Sequence, residues 1–104
     1  MHAEKPNTFT DPSLPFDIGY HPDLYDDKAR IVYEIKPLDW YSSHVEYCVA
    51  QLSGYMHFKK AAGLFLLYVD GGFTGCRMPF VKTWDELKEI ALKSWETRTM
   101  VEAV

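Results

Sequence analysis

Three side chains near the middle of the chain have the types and spacing to do chemistry. Glu34 and Lys36 are separated by Ile35, and the run of apolar residues before them reads as a strand. A strand has a side-chain period of two, so Glu34 and Lys36 leave one face while Ile35 points the other way. A carboxylate and an ammonium side by side at a strand end could bind a metal ion and steer a water. Asp23, after Pro22, is a further acid, and a hairpin joining Leu24 to Ile31 could bring it beside Glu34. The plainer alternative is that Pro22-Asp23 begins a turn together with Asp26 and Asp27, for which both residue types are suited. Gln51, the only glutamine, precedes Tyr55 by four residues, which places both on one face of a helix.

The acid-x-Lys triplet occurs three times, at Asp26, Glu34 and Glu86. The first falls in an expected turn and the last on an expected helix, where residues two apart diverge. Only the middle triplet runs from a strand into a proline, and Pro37 ends that strand because it has no amide hydrogen to donate.

The elements that would position these groups can be read from pattern. Residues 16–24 and 29–36 read as a hairpin around the turn at Asp26-Asp27-Lys28, with Pro22 at an edge or an irregular end. A loop holding Trp40 and Tyr41 follows, and Ser43-x-x-Glu46 fits a capping box opening a helix. Val45, Cys48, Val49, Leu52 and Met56 make its apolar stripe, and Gly63 reads as its stop. Residues 64–69 have no polar interruption, as in a central strand covered on both faces. Gly71-Gly72 turns the chain into a strand over residues 76–81, whose Pro79 suggests an edge. Thr83-x-x-Glu86 opens a last helix that buries Trp84, Leu87, Ile90 and Ala91. The order is β-β-α-β-β-α, an α/β fold with a central mixed sheet flanked by helices.

These pieces together resemble the PD-(D/E)XK nuclease superfamily, and Gln51-x-x-x-Tyr55 narrows the likeness to a minimal core of its RecB-like branch. The likeness covers residues 16–70 and implies a restriction-endonuclease-like core. It implies that Asp23 and Glu34 jointly bind Mg²⁺ or Mn²⁺, with the backbone carbonyl of Ile35 as a further ligand. It implies Lys36 as the residue that activates water, Gln51 as an orienting group and Tyr55 as a shaping or nucleic-acid-contacting one. Many members begin with a helix that supplies another ligand; here His21 could substitute. Trp40 and Tyr41 could stack on a splayed base, and Lys59 could touch a phosphate. For both aromatics, anchoring the loop in the core is the blander role.

At 104 residues the chain has room for one domain, an irregular arm over residues 1–15 followed by a single nuclease-like domain over 16–104. With 47% hydrophobic and 15% aromatic residues, the composition is that of a folded protein. A formal charge of −4 excludes a protein that coats nucleic acid by positive charge alone, although a metal ion can supply local positive charge. Cys48 and Cys76 form no C-x-x-C pair, so two buried reduced thiols are expected, with a disulfide left open. Two cysteines cannot build a four-cysteine iron–sulfur cluster. No apolar run is long enough to span a bilayer, and the first residues do not read as a signal peptide, so an intracellular, cytoplasmic protein is expected. The expected activity is metal-dependent hydrolysis of phosphodiester bonds, with DNA as the partner. Chain size and exposed edges point to a homodimer. A second reading is a non-catalytic α/β module, derived from such a core, that binds nucleic acid or protein.

Overall fold

The computed structural model describes the backbone of residues 2–3 and 5–103 and the side chains of residues 5–96; both ends of the two expected segments, Met1 and Val104, lie outside the described residues. Its elements, in order, are β1 (His2–Ala3), β2 (Asn7–Phe9), β3 (Ile18–Tyr20), β4 (Leu24–Asp26), β5 (Ile31–Pro37), α1 (Leu38–Ser43), α2 (Val45–Lys59), β6 (Ala62–Val69), β7 (Gly72–Arg77) and α3 (Trp84–Ala103). The main sheet has the order β1-β4-β5-β6-β7. Strands β5 and β6 run parallel, joined by the α1–α2 crossover, and the other neighbours are antiparallel. The mixed α/β architecture and the β-β-α-β-β-α order of its core agree with the sequence pattern, with α1 as an added helix.

Parallel pairing needs a long crossover, and this one puts α2 over one face of the sheet. In register, Glu34 stands opposite Phe65 and Lys36 opposite Leu67, so all four share the face beneath α2. Val32, Phe65 and Leu67 meet Cys48, Val49, Leu52 and Tyr55 of that helix to form the core. Gly63 lies within β6 rather than at a helix stop. A Cβ there would come 2.6 Å from Met56 Sδ and 3.0 Å from Leu52 Cγ, so the bare backbone is what lets α2 approach the sheet. Helix α2 instead ends where Lys60 adopts a left-handed conformation, φ 52° and ψ 52°.

Five other expectations give way to the structure. Residues 16–24 are not one strand: β3 leaves the main sheet to pair with β2, and only β4 pairs with β5. Pro22, fully buried and without an amide hydrogen, marks the break. Within the expected irregular arm, His2–Ala3 and Asn7–Phe9 are instead strands. Phe9 of β2 stacks on Phe58 at 4.7 Å and meets Trp84 edge-on at 5.5 Å, and this anchoring outweighs the discouraging prolines.

The loop after Pro37 is helix α1, so Ser43 falls at a helix C-terminus. Its hydroxyl donates to the Asp39 carbonyl at 3.2 Å, and α2 starts without a side-chain cap. Glu46 pairs instead with Lys82 at 3.2 Å. The second capping box does form: the Thr83 amide donates to Glu86 Oε1 at 3.0 Å and the Glu86 amide to Thr83 Oγ1 at 3.2 Å. Strand β6 is central, but among the described residues its second face has no helix packed on it, since α3 packs chiefly on α2. Finally, β7 spans Gly72–Arg77, so Pro79 lies beyond it. The hairpin before it turns on Asp70 and Gly71, both left-handed at φ 49° and 77°, as a tight two-residue turn requires. Both thiols are free, Cys48 buried and Cys76 half-buried.

Candidate functional site

The break at Pro22 sets the site. Register pairs Leu24 with Tyr33, so Asp23 comes level with Glu34 just where the β4–β5 ladder stops. Side chains take over the hydrogen bonding there. The Asp23 amide donates to Glu34 Oε1 at 3.1 Å, and the Ile35 amide donates to Asp23 Oδ2 at 2.8 Å. The amide and carbonyl of one extended residue leave the same strand edge, so the Ile35 carbonyl faces the Asp23 side as well.

Glu34 is only 3% exposed. Lys36 Nζ lies 3.5 Å from Glu34 Oε2. Burial, and secondly the charge of Asp23, push the Glu34 carboxyl up to about 7, against the opposing pull of the Asp23 amide and Lys36. Glu34 and Lys36 thus lie largely buried under α2, with the exposed carboxylate of Asp23 at their edge.

From α2, Gln51 Nε2 donates to the Tyr55 hydroxyl at 3.1 Å. Burial raises the Tyr55 phenol, and the charge of Glu34 raises it further, while Gln51 and the His21 backbone hold it down. Tyr55 therefore belongs to the same electrostatic cluster. Among the described residues, Gln51 Oε1 is buried without a hydrogen-bond donor. Behind the acids, the buried Cys48 thiol is raised by desolvation and feels both Lys36 and Glu34.

The expected residues thus divide. Asp23, Glu34, Ile35 and Lys36 come together, with Tyr55 and its partner Gln51 against them. Trp40 sits at the rim, stacked on His44 at 4.2 Å, with Lys36 Nζ 5.3 Å from its ring. Tyr41 does not: α1 turns its ring into the core, 4.9 Å from Phe65, so it serves packing and not base stacking. Lys59 is also elsewhere. Helix α2 runs back along β5, which carries Lys59 to the Tyr25 ring (4.8 Å) and the neighbourhood of Arg30. His21 lends its backbone to Tyr55, and among the described residues no three His, Cys, Asp or Glu side chains form a metal-binding cluster.

Sequence reading missed the outer wall. A cavity of about 620 Å³ is lined by Pro6, Asn7, Thr8, Gly19, Tyr20, His21 and Tyr55, so β2 and β3 border the same tyrosine that senses Glu34. The short Thr8-Phe9-Thr10 run, with its β-favouring side chains, was the available signal.

Compared with known proteins, the chain gives no significant match to a family model, a curated protein or a solved structure. Among the described residues, no helix is long and apolar enough to cross a membrane.

Proposed function

We propose that the chain is a divalent-metal-dependent nuclease of the PD-(D/E)XK type, hydrolysing phosphodiester bonds with DNA as substrate. The observation that carries this reading is the knitting of Asp23 and Glu34, each bonded to the other's strand, with an ammonium 3.5 Å from the second acid. Two carboxylates and one carbonyl suit Mg²⁺ or Mn²⁺, hard cations that commonly keep waters beside one or two carboxylates. The same set is too small for a structural zinc site.

Asp23, Glu34 and the Ile35 carbonyl would hold the ion, which when bound supplies Lewis acidity and an acidified water. The remaining work falls to the chain. Lys36, carried on the same strand face as Glu34, would position the attacking water and offset the charge that develops on phosphate. Tyr55, fixed by Gln51, would close the inner side of the pocket. Trp40 would lie where a nucleotide leaves the site. Two free thiols are in keeping with a reducing, cytoplasmic setting.

Labelled linear, circular and single-stranded DNA, incubated with Mn²⁺ or with chelator, tests the proposal. Cleavage should need the ion and be abolished by Glu34→Gln and Lys36→Ala. Equal cleavage by both variants would remove the mechanism. A second reading, a non-catalytic α/β module binding nucleic acid or protein, is favoured by the small ligand set and by Lys36 already occupying Glu34 Oε2. Such a module would bind its partner equally well in the presence of chelator.

A further inference from the structure

All helices described lie on the Glu34 side of the main sheet, directly or stacked on α2. The opposite face presents Tyr33, Ile35, Leu64, Leu66, Tyr68 and Phe73, and none of them joins the core or packs against it. Ile35 is 36%, Tyr68 48% and Phe73 60% exposed. The rings of Tyr68 and Phe73 meet edge to face at 5.5 Å, and among the described residues no helix packs over this patch. Contiguous exposed apolar surface of this kind marks an interaction site rather than ordinary surface.

Charge placement says what covers it. Asp26 on β4 and Arg77 on β7 share this face, on opposite outer strands of the four-strand core. Asp26 is in register with Ile31, and Arg77 with Leu64, two residues further along the parallel pair. Within one chain they are three strand spacings apart, roughly 14 Å, too far to pair. A closed two-fold interface must be self-complementary, and a face flanked by one acid and one base meets that condition.

We propose that a second copy of this chain packs on this face, about a two-fold axis running along the strands between β5 and β6. That operation lays β4 of each copy over β7 of the other. It sets Asp26 of one copy against Arg77 of its mate on both flanks and presses the two apolar centres together. Strands β4 to β7, of three, seven, eight and six residues, lie about 4.8 Å apart and rise about 3.3 Å per residue, which makes a face of roughly 380 Å². With side-chain relief, two such faces approach the roughly 1,000 Å² that a specific interface clears. The side chains of Glu34 and Lys36 lie on the opposite face and Ile35 enters the nuclease reading only through its backbone carbonyl, so the pairing is independent of that reading and leaves both sites open.

Sedimentation velocity on the whole chain tests this. The wild type should sediment at twice the chain mass. Tyr68→Glu and Phe73→Glu, at well-exposed positions, should sediment as monomers with unchanged circular dichroism. Asp26→Asn keeps the turn acceptor but loses the charge; it and Arg77→Gln should each weaken the dimer about two- to thirty-fold, since either change removes both symmetry-related exposed ion pairs. The double variant should be no weaker than the weaker single one, because both remove the same contact. A wild type that stays monomeric at its highest soluble concentration overturns the proposal, as does an association untouched by Tyr68→Glu and Phe73→Glu. Additive losses in the double variant overturn the two-fold arrangement.

Discussion

The amide of Asp23 is held by the carboxylate of Glu34, 3.1 Å away, while the carboxylate of Asp23 holds the amide that follows Glu34 at 2.8 Å. Neither acid can move without releasing the strand that carries the other. The cost of this arrangement is electrostatic, and it makes the site measurable.

The first expectation concerns stability and pH. Glu34 rises from an ordinary 4.5 to about 7 on folding, so between those values the folded state binds more protons than the unfolded one. Stability is therefore greatest below pH 4.5 as far as this group is concerned, falls as pH rises through the window and levels off above 7. At about 1.36 kcal/mol per unit the total is on the order of 3 kcal/mol. Glu34→Gln should flatten this slope and stabilise the metal-free protein at pH 8, by up to that amount. Urea titrations across pH 4.5–8 read it directly; a slope unchanged in Glu34→Gln would assign the pH dependence to another group.

A bound cation must displace the proton on Glu34. Under the nuclease reading, Mn²⁺ affinity should be about tenfold lower at pH 6 than well above pH 7. Lys36 pulls the Glu34 carboxyl down, so Lys36→Met should shift the midpoint of this profile upward while removing cleavage. Calorimetric titration at several pH values distinguishes this from a site that merely loses affinity.

Gly63 offers a packing test away from the chemistry. Gly63→Ala places a methyl group within 3 Å of Met56 Sδ and Cγ, an overpacking that should cost about 1–3 kcal/mol. The same change made in a Met56→Ala background should cost distinctly less. Equal losses in both backgrounds would mean that the helix does not rest on this contact.

Gln51 carries a buried oxygen without a donor among the described residues. Gln51→Met removes that orphan, worth about 1–3 kcal/mol, while giving up one neutral hydrogen bond to Tyr55, worth about 1 kcal/mol. The variant should melt at or above the wild-type temperature and, under the nuclease reading, cleave more slowly. A clear loss of stability would instead show that the amide bond to Tyr55 holds the helix in place.

Side-chain chemistry was more legible in the sequence than chain path. Alternation along residues 31–36 put Glu34 and Lys36 on one face, and helical spacing put Gln51 beside Tyr55; both follow from local geometry. What local geometry does not contain is competition between distant segments. The Ser43 box failed because Pro37 gave the helix an earlier start, while the Thr83 box had no rival. The strand expected over residues 16–24 divided because Phe9 drew β3 toward α2 and α3. Tyr41 and Trp40 are neighbours in sequence, yet α1 sends one inward and the other to the rim, a choice only the helix phase decides.

Cys48 lies sealed directly behind the acidic pair, whereas Cys76 is within reach of solvent. A thiol-selective reagent would therefore tag the chain in two stages, the second waiting for the crossover helix to lift off the sheet. The molecule carries its own stopwatch for that opening, set beside the groups whose dryness it would reveal.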